Sequence, residues 1–238
     1  MKHLPRPNLS AEALATLQRR TRAIEASPDP AAAAERKWRN RNAAADLEIE
    51  RKLKQMVEPL ERCMYCEDSR GVDIEHFRPK QAYPLSTFDW WNLLLACSYC
   101  NSNAKRTQFP VSAQGQPLLI DPTRDDPSQH LAFSPTTGQF VARTERGARS
   151  IEVFGLNTRV LDTHRRTTVT ITCALVLDYE RLVDAGHSSE AELVRRSLRR
   201  LPHCSVVDWV CATARLPAGA SVLDEDVVDA IVRRTELP

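Results

Sequence analysis

Two cysteine pairs with the spacing Cys-x-x-Cys restrict the fold of this chain more than any other feature. The pairs are Cys63 with Cys66 and Cys97 with Cys100. Each pair can supply two thiolates to one tetrahedral zinc ion, and two pairs complete a closed structural site. A redox pair is the alternative, but a thioredoxin-like motif needs one Cys-x-x-Cys in a strand-helix-strand context. We therefore expect these four cysteines to hold a structural Zn²⁺ ion.

The cysteine count also bears on the compartment of the protein. There are seven cysteines, an odd number, and the N-terminus has no apolar segment of the secretory type, which favours reduced thiols. No stretch approaches the roughly 20 apolar residues that are needed to span a membrane. We expect a cytoplasmic protein with no membrane partner. The net charge of +2, from 33 Lys and Arg against 31 Asp and Glu, does not by itself indicate a nucleic-acid partner.

The sequence of 238 residues divides into three regions, of which the first is an N-terminal helical region at residues 1–60. Ser10 is a suitable N-cap for a first helix, and Asp29 with Pro30 has the pattern of an N-cap and first helical residue. The second helix is predicted to be long, with four apolar anchors: Trp38, Leu47, Leu53 and Val57. A group of cations in this segment forms either a solvated face or a phosphate-contacting surface: Arg36, Lys37, Arg39 and Arg41.

Residues 61–110 contain the two cysteine pairs and carry the chemistry. The alternation of residues 72–77 predicts a short strand, and the apolar run that follows Trp90 and Trp91 predicts a second strand or buried turn. Both tryptophans are expected to be core residues rather than base-stacking platforms. After the second cysteine pair, residues 101–105 are expected to begin a helix. Two strands and a helix, held by zinc, are the outline of a ββα-metal fold.

Residues 111–238 form a C-terminal extension that is mainly helical. It begins with turn-rich sequence and continues with a helix that is predicted to end at Gly186. Two further helices have starts of the Ser-x-x-acid type, at Ser189 with Glu192 and at Ser221 with Asp224. The expected fold class is α+β and mostly helical, with a small zinc-clamped core between N- and C-terminal helical flanks.

At the residues of the central region, the chain resembles the HNH endonuclease family. The family pattern is an acid-His pair, a middle Asn, and Cys-x-x-Cys-Asn followed closely by Lys. Glu75-His76, Asn92, and Asn101 with Lys105 meet this pattern. The stretches IEHFRPK and WWNLLLACSYCN are similar to those of the HNH subunit of Septu-type and retron-associated anti-phage systems. The resemblance covers roughly residues 60–165 and extends to the helical flanks only in outline.

The resemblance implies a metal-dependent endonuclease that hydrolyses phosphodiester bonds. His76 would be the general base, and Glu75 with Asn101 would hold Mg²⁺ or Mn²⁺. Many HNH sites have Asp at the position of Glu75, so Asp73 remains open as a rival ligand. Asn92 would orient His76 or brace the loop by hydrogen bonding.

The chemistry of phosphodiester cleavage agrees with these residue types. An imidazole with an unperturbed pKa near 6.5 is a suitable base at neutral pH, and a hard cation on oxygen ligands neutralises developing charge. Four cations close to the motif in sequence are candidates to contact the scissile phosphate: Arg78, Lys80, Lys105 and Arg106.

Three classes of function remain after this reading. The first is the nuclease, with DNA as its first candidate substrate and transfer RNA as its second. The second is a non-catalytic zinc module that binds nucleic acid or a protein. The third is a zinc deaminase, which needs His-x-Glu and an open zinc position, whereas this chain has Glu-His and four cysteines. The resemblance also implies an ABC-type ATPase partner, and since no Walker A motif occurs in this chain, ATP dependence would come from that subunit.

Overall fold

The computed structural model describes residues 1–41 and 43–238. Helices dominate, and the described residues form two small sheets of two strands each, which confirms the expectation of a mostly helical α+β protein. The chain folds as two compact units. One unit contains residues 2–131 and 142–156, and the other contains Met1, residues 132–141 and residues 157–238. The division into three regions at residues 60 and 110 stays a prediction about functional organisation.

Three helices begin the first unit: α1 at Ala11–Glu25, α2 at Pro30–Arg39 and α3 at Ala44–Gln55. Both predicted N-caps are confirmed. The Ser10 hydroxyl accepts from the amide of Ala13 at 3.1 Å, and the Asp29 carboxylate accepts from the amide of Ala32 at 3.0 Å.

The prediction of one long second helix is wrong, because the chain turns between α2 and α3. The Asp46 carboxylate accepts from the amide of Ala43 at 2.8 Å and from Arg20 of α1 at 2.6 Å, and these bonds stabilise a new helix start. The break changes which side chains face the core. Leu53 is fully buried as expected, whereas Leu47 is 70 % exposed.

The central sheet pairs β1 at Asp73–His76 with β2 at Leu93–Ala96 in antiparallel fashion. Asp73 lies opposite Ala96, and His76 lies opposite Leu93. All four residues of β2 are buried, so this strand anchors β1 in the core. The predicted helix after the second cysteine pair is a single π-helical segment at Tyr99–Lys105. Further along the same unit, α4 at Glu145–Phe154 stacks the Phe154 ring on Tyr65, with centroids 4.0 Å apart.

The second unit contains a hairpin and a bundle of four helices. The hairpin, β3 at Leu131–Ser134 with β4 at Gln139–Ala142, lies in sequence whose composition predicts only turns. Its turn requires Gly138, which has a φ of +75° and whose Cβ would lie 2.1 Å from the carbonyl oxygen of Asp162. The helices are α5 at Arg159–Asp184, α6 at Ser188–Leu198, α7 at Cys204–Ala214 and α8 at Glu225–Arg233. Their core includes Val176, Leu198, Val210, Val227 and Ile231.

Helix α5 ends as predicted, followed by Gly186 with a φ of +78°. Its β-prone threonines are accommodated because their hydroxyls donate to carbonyls one turn back, as Thr172 does to Thr168 at 2.7 Å. The two predicted capping boxes are wrong. His187 occupies the N-cap position of α6, and Glu192 instead pairs with Arg195 at 2.7 Å, while α8 is preceded by Asp224 without a side-chain cap.

No helix within the described ranges combines the length and the apolar character that crossing a membrane would require.

Candidate metal centre and active site

The four cysteines of the two Cys-x-x-Cys pairs come together in one buried cluster. Their Sγ atoms all lie within 4.8 Å of one another, and those of Cys66 and Cys97 are 3.9 Å apart. Four sulfurs at about 2.3 Å from a tetrahedral zinc ion are separated by about 3.8 Å. None of the four is in a disulfide. The cluster therefore fits a structural Zn²⁺ ion in its donor atoms and its spacing.

The backbone around the cysteines explains how two distant segments meet. The amide of Met64 donates to the carbonyl of Leu95 in β2 at 2.9 Å, which joins the first cysteine pair to the strand before the second. The Cys97 Sγ accepts from the amide of Cys100 at 3.4 Å. Hydrogen bonds from the neighbouring thiols, with that of Cys100 first, lower the pKa of Cys97 far below its usual range. The same contacts raise the pKa of Cys100, so the thiolate, the form that binds zinc, is favoured at Cys97.

His76 is buried at the end of β1 and held in one orientation. Its Nε2 atom lies 3.1 Å from the carbonyl oxygen of Thr87. A carbonyl only accepts, so Nε2 carries the hydrogen and Nδ1 keeps a lone pair. Burial, with smaller contributions from Lys80 and other cations, lowers the pKa of His76 to about 3. The imidazole is therefore neutral at physiological pH, with an unprotonated Nδ1 atom.

Glu75, the residue before His76, is paired inside the protein. Its Oε1 lies 2.5 Å from Nζ of Lys105, and its Oε2 accepts from the Tyr65 hydroxyl at 2.5 Å. The Glu75 side chain is 2 % exposed and that of Lys105 is fully buried. Lys105 also donates to the carbonyl oxygen of His76 at 2.9 Å. Both carboxylate oxygens of Glu75 are thus engaged, each with one further lone pair for another partner.

Asn101 lies at the start of the segment that follows the second cysteine pair. Its amide nitrogen donates to Oδ2 of Asp73 at 3.2 Å, which leaves its Oδ1 atom as a potential ligand. Asp73 is thereby placed beside Asn101, and its role as a rival ligand stays a prediction. Carboxylate and amide oxygens are the donors that Mg²⁺ and Mn²⁺ prefer, so the residue types of this site fit a hard divalent cation.

An open cavity of about 470 Å³ joins these groups. Six chemically active side chains line it: Glu35, Glu75, His76, Lys80, Asn101 and Arg106. Glu35 comes from α2, so the N-terminal helices form part of the wall. The Glu35 carboxylate pairs with Nζ of Lys80 at 2.8 Å. Asp73 lines a separate cavity of about 450 Å³, to which Asn101 also contributes.

Asn92 is buried and braces the loop between the two strands. Its Oδ1 accepts from the amide of Arg78 at 2.7 Å, and its Nδ2 donates to the carbonyls of Arg78 and Ser86 at 3.1 and 2.9 Å. This matches the loop-bracing alternative of the sequence reading. Its action on His76 is indirect: the loop that Asn92 braces contains Thr87, whose carbonyl oxygen accepts the hydrogen bond from His76.

The four cations predicted to contact phosphate have different placements. Lys80 and Arg106 line the His76 cavity. Arg78 is exposed but lies over the rings of Tyr83 and Phe109, at 5.7 and 5.9 Å. Lys105 is fully buried and is not among the residues that line the His76 cavity, so its expected role as a phosphate contact does not agree with its placement.

The two tryptophans of the second strand region also differ. Trp90 is 5 % exposed and donates from Nε1 to the carbonyl of Pro7 at 3.0 Å, as a core residue does. Trp91 is 44 % exposed, with the guanidinium of Arg124 at 5.0 Å from its ring. The expectation that both are core residues is wrong for Trp91, which lies in a tight turn where the Asp89 carboxylate accepts from its amide at 3.0 Å.

Sequence reasoning missed three residues that shape the site: Tyr65, Trp38 as a neighbour of His76, and Glu35. Tyr65 had a signal, since it lies inside the first Cys-x-x-Cys pair. The sequence indicates Trp38 only as an apolar anchor of its helix, not as a neighbour of His76. No local pattern relates Glu35 to the cavity.

Comparison with curated proteins finds relatives over part of the chain. No family model matches the sequence. The chain is 32 % identical over 153 residues to Septu protein PtuB of Bacillus mycoides (strain KBAB4), which covers 52 % of this chain and 51 % of that protein. It is 39 % identical over 75 residues to Septu protein PtuB of Bacillus thuringiensis, covering 29 % and 27 %. The chain thus spans about half the length of the first of these curated relatives, and over that half it is PtuB-like.

Proposed function

We propose that this chain is a metal-dependent endonuclease of the HNH type, and that it acts as the effector of a Septu-type anti-phage defence system. Its reaction is the hydrolysis of phosphodiester bonds in nucleic acid, with DNA as the first candidate. The observation that supports this most directly is the arrangement of His76. A neutral imidazole, fixed by the Thr87 carbonyl, lines a cavity together with carboxylate, amide and cationic side chains.

His76 would act as the general base. Its Nδ1 lone pair takes a proton from a water molecule while the water oxygen forms a bond to phosphorus and the bond from phosphorus to the leaving oxygen breaks. The Nε2 hydrogen bond to Thr87 keeps the ring in the required tautomer. The leaving oxygen ends as a hydroxyl after it takes a proton from solvent.

Cations in the cavity would bind the substrate. Lys80 and Arg106 line the cavity beside His76 and match the negative charge of a phosphodiester. A Mg²⁺ or Mn²⁺ ion, held by Glu75 and Asn101, would stabilise the charge that develops on the leaving oxygen. The zinc-type cluster would fix the second cysteine segment, from which Asn101 and Lys105 extend.

The resemblance to the HNH subunits of Septu-type systems implies a partner as well as an activity. We propose that an ABC-type ATPase subunit of the same defence system gates the nuclease, and that the helical regions outside residues 61–110 dock it. The Walker A pattern is absent from the 238 residues, so ATP would be bound by the partner.

Incubation of the purified protein with nucleic acid tests the proposal directly. The protein is mixed with plasmid DNA and, separately, with total RNA, with and without Mg²⁺, both alone and together with the ATPase encoded beside it. We expect Mg²⁺-dependent cleavage that the His76→Ala protein lacks. Intact substrates in every mixture, from protein that is folded and contains zinc, would contradict the nuclease and leave a zinc module that binds nucleic acid or a protein.

A further inference from the structure

Lys105 is a charged side chain with no exposed surface, and it has two acceptors. Its Nζ atom lies 2.5 Å from Oε1 of Glu75 and donates to the carbonyl oxygen of His76 at 2.9 Å. Burying an ammonium group is costly unless it is paired and hydrogen-bonded. The Lys105 ammonium group therefore contacts two consecutive residues of β1, which we call the reacting strand: it binds the side chain of Glu75 and the backbone carbonyl of His76.

Tyr65 completes the network from the opposite side of the carboxylate. Its hydroxyl donates to Oε2 of Glu75 at 2.5 Å, and its ring stacks on Phe154 with the planes 17° apart. A carboxylate only accepts, so the Tyr65 hydroxyl is the donor in this contact. Glu75 is thus held by one donor at each oxygen.

Both donors are carried by the segments that form the cysteine cluster. Tyr65 lies between Cys63 and Cys66, and Lys105 ends the π-helical segment that contains Cys100. The cluster and the reacting strand are therefore joined by two buried polar contacts. A buried ion pair often stabilises a fold no better than apolar side chains of the same volume, so stability alone does not account for the pair of Lys105 with Glu75.

We propose that Lys105 and Tyr65 are positioning residues of the site: they hold the Glu75 carboxylate and the His76 backbone in one arrangement, and neither contacts the substrate. This inference rests on the proposed nuclease function and deepens it. It replaces the role that sequence proximity had suggested for Lys105, because a lysine that contacts phosphate affects substrate binding, whereas a positioning lysine affects the chemical step.

Separate measurement of kcat and KM distinguishes these roles. The variants are Tyr65→Phe, which retains the ring on Phe154 and removes only the hydroxyl, and Lys105→Met, which retains the length of the side chain. Arg106→Gln is the matched control, since Arg106 is the next residue, is exposed and lines the cavity. Affinity for a duplex oligonucleotide is measured by fluorescence anisotropy in a His76→Ala background at several salt concentrations. Zinc content and melting temperature are recorded for each protein.

We expect both positioning variants to lower kcat, on the order of 10²-fold for Lys105→Met and less for Tyr65→Phe, with KM and oligonucleotide affinity within about twofold of wild type. Arg106→Gln is expected to weaken the affinity and to reduce the slope of log affinity against log salt by about 1. If Lys105→Met does not fold, the inference is tested by kcat, KM and oligonucleotide affinity of Tyr65→Phe alone.

Two results would overturn the inference. One is an unchanged kcat in folded, zinc-containing Tyr65→Phe and Lys105→Met proteins. The other is a loss of oligonucleotide affinity in Lys105→Met with kcat preserved, which would make the lysine a phosphate contact. Absence of cleavage by the wild-type protein is a different result, since it refutes the proposed function itself and the inference with it.

Discussion

The indole ring of Trp38 meets the imidazole of His76 edge to face, with centroids 4.3 Å apart and ring planes 70° apart. Trp38 belongs to α2, and His76 ends β1. Arg41 also lies over the Trp38 ring, with its guanidinium carbon 3.9 Å from the ring centroid. The N-terminal helical region is therefore part of the candidate site, because it buries the proposed base and forms a wall of its cavity.

The burial of His76 predicts a specific dependence of stability on pH. The pKa of His76 falls to about 3 in the folded protein and is near 6.5 in the unfolded chain. As pH falls below 6.5, the unfolded state takes up a proton that the folded state does not, so stability decreases. Between pH 7.5 and 5.5 this residue is expected to remove about 1.4 kcal/mol of unfolding free energy.

The His76→Gln protein should lose less stability than wild type over the same pH interval. Urea unfolding at the two pH values, with zinc content checked at each, measures the difference. Identical losses in the two proteins would mean that His76 is not held neutral by burial.

The cysteine cluster predicts that metal and stability are lost together. Cys97→Ser should release zinc and lower the melting temperature, because the binding free energy of such sites is largely folding free energy. Cys173→Ser is the control, since Cys173 lies outside the cluster and its replacement should leave the zinc content unchanged. Elemental analysis of the three proteins decides the point, and well-folded wild-type protein without zinc would refute the site.

Substitutions of the acid-His pair should fail in different ways. His76→Ala removes proton transfer, which is typically worth about 10² to 10⁴ in rate, and should still bind Mn²⁺. Glu75→Gln keeps the shape of the side chain but removes its charge, so Mn²⁺ affinity should fall and higher metal concentrations should restore part of the activity. Paramagnetic resonance of Mn²⁺ and plasmid cleavage measure the two effects.

The control for the acid-His pair is His187→Ala, because His187 is exposed and has no expected role in cleavage. Wild-type cleavage by a His76→Ala preparation that is free of contaminating nuclease would exclude His76 as the base.

The pair of Glu35 with Lys80 predicts a gain in affinity. The Glu35 carboxylate lies 2.8 Å from Nζ of Lys80, a cation of the proposed substrate cavity, and the hydrogen bond from Lys80 lowers the pKa of Glu35. A phosphate that binds Lys80 must compete with this carboxylate. Glu35→Gln should therefore tighten nucleic-acid binding by about 0.2 to 1 kcal/mol, the usual range for an exposed pair.

Glu12→Gln supplies the same change of net charge outside the cavity, on the exposed face of α1. Anisotropy titrations of an oligonucleotide compare the two variants with wild type. Equal affinities for both variants would show that net charge, and not the pair with Lys80, sets the binding.

Several features could be predicted from the sequence because they depend on residues close together in the chain. The N-caps at Ser10 and Asp29 bond to amides three residues away, and the end of α5 before Gly186 follows from a positive φ that glycine adopts easily. The cysteine cluster was also predictable, since the geometry of a tetrahedral ion relates Cys-x-x-Cys pairs however distant they are in the chain.

Only the tertiary structure decided how the side chains around the reacting strand are paired. The sequence places Glu75 beside His76 and Lys105 after Asn101. The same sequence is also compatible with an exposed Lys105 that contacts a phosphate group. Packing of β1 against β2 and the π-helical segment buries Lys105, and burial requires a partner for its charge. In the same way, the turn between α2 and α3 exposes Leu47, and the packing of α2 brings Glu35 and Trp38 to the cavity. Local sequence determines caps and ligand spacing through short-range bonds, whereas the environment of a buried charge depends on every segment that packs around it.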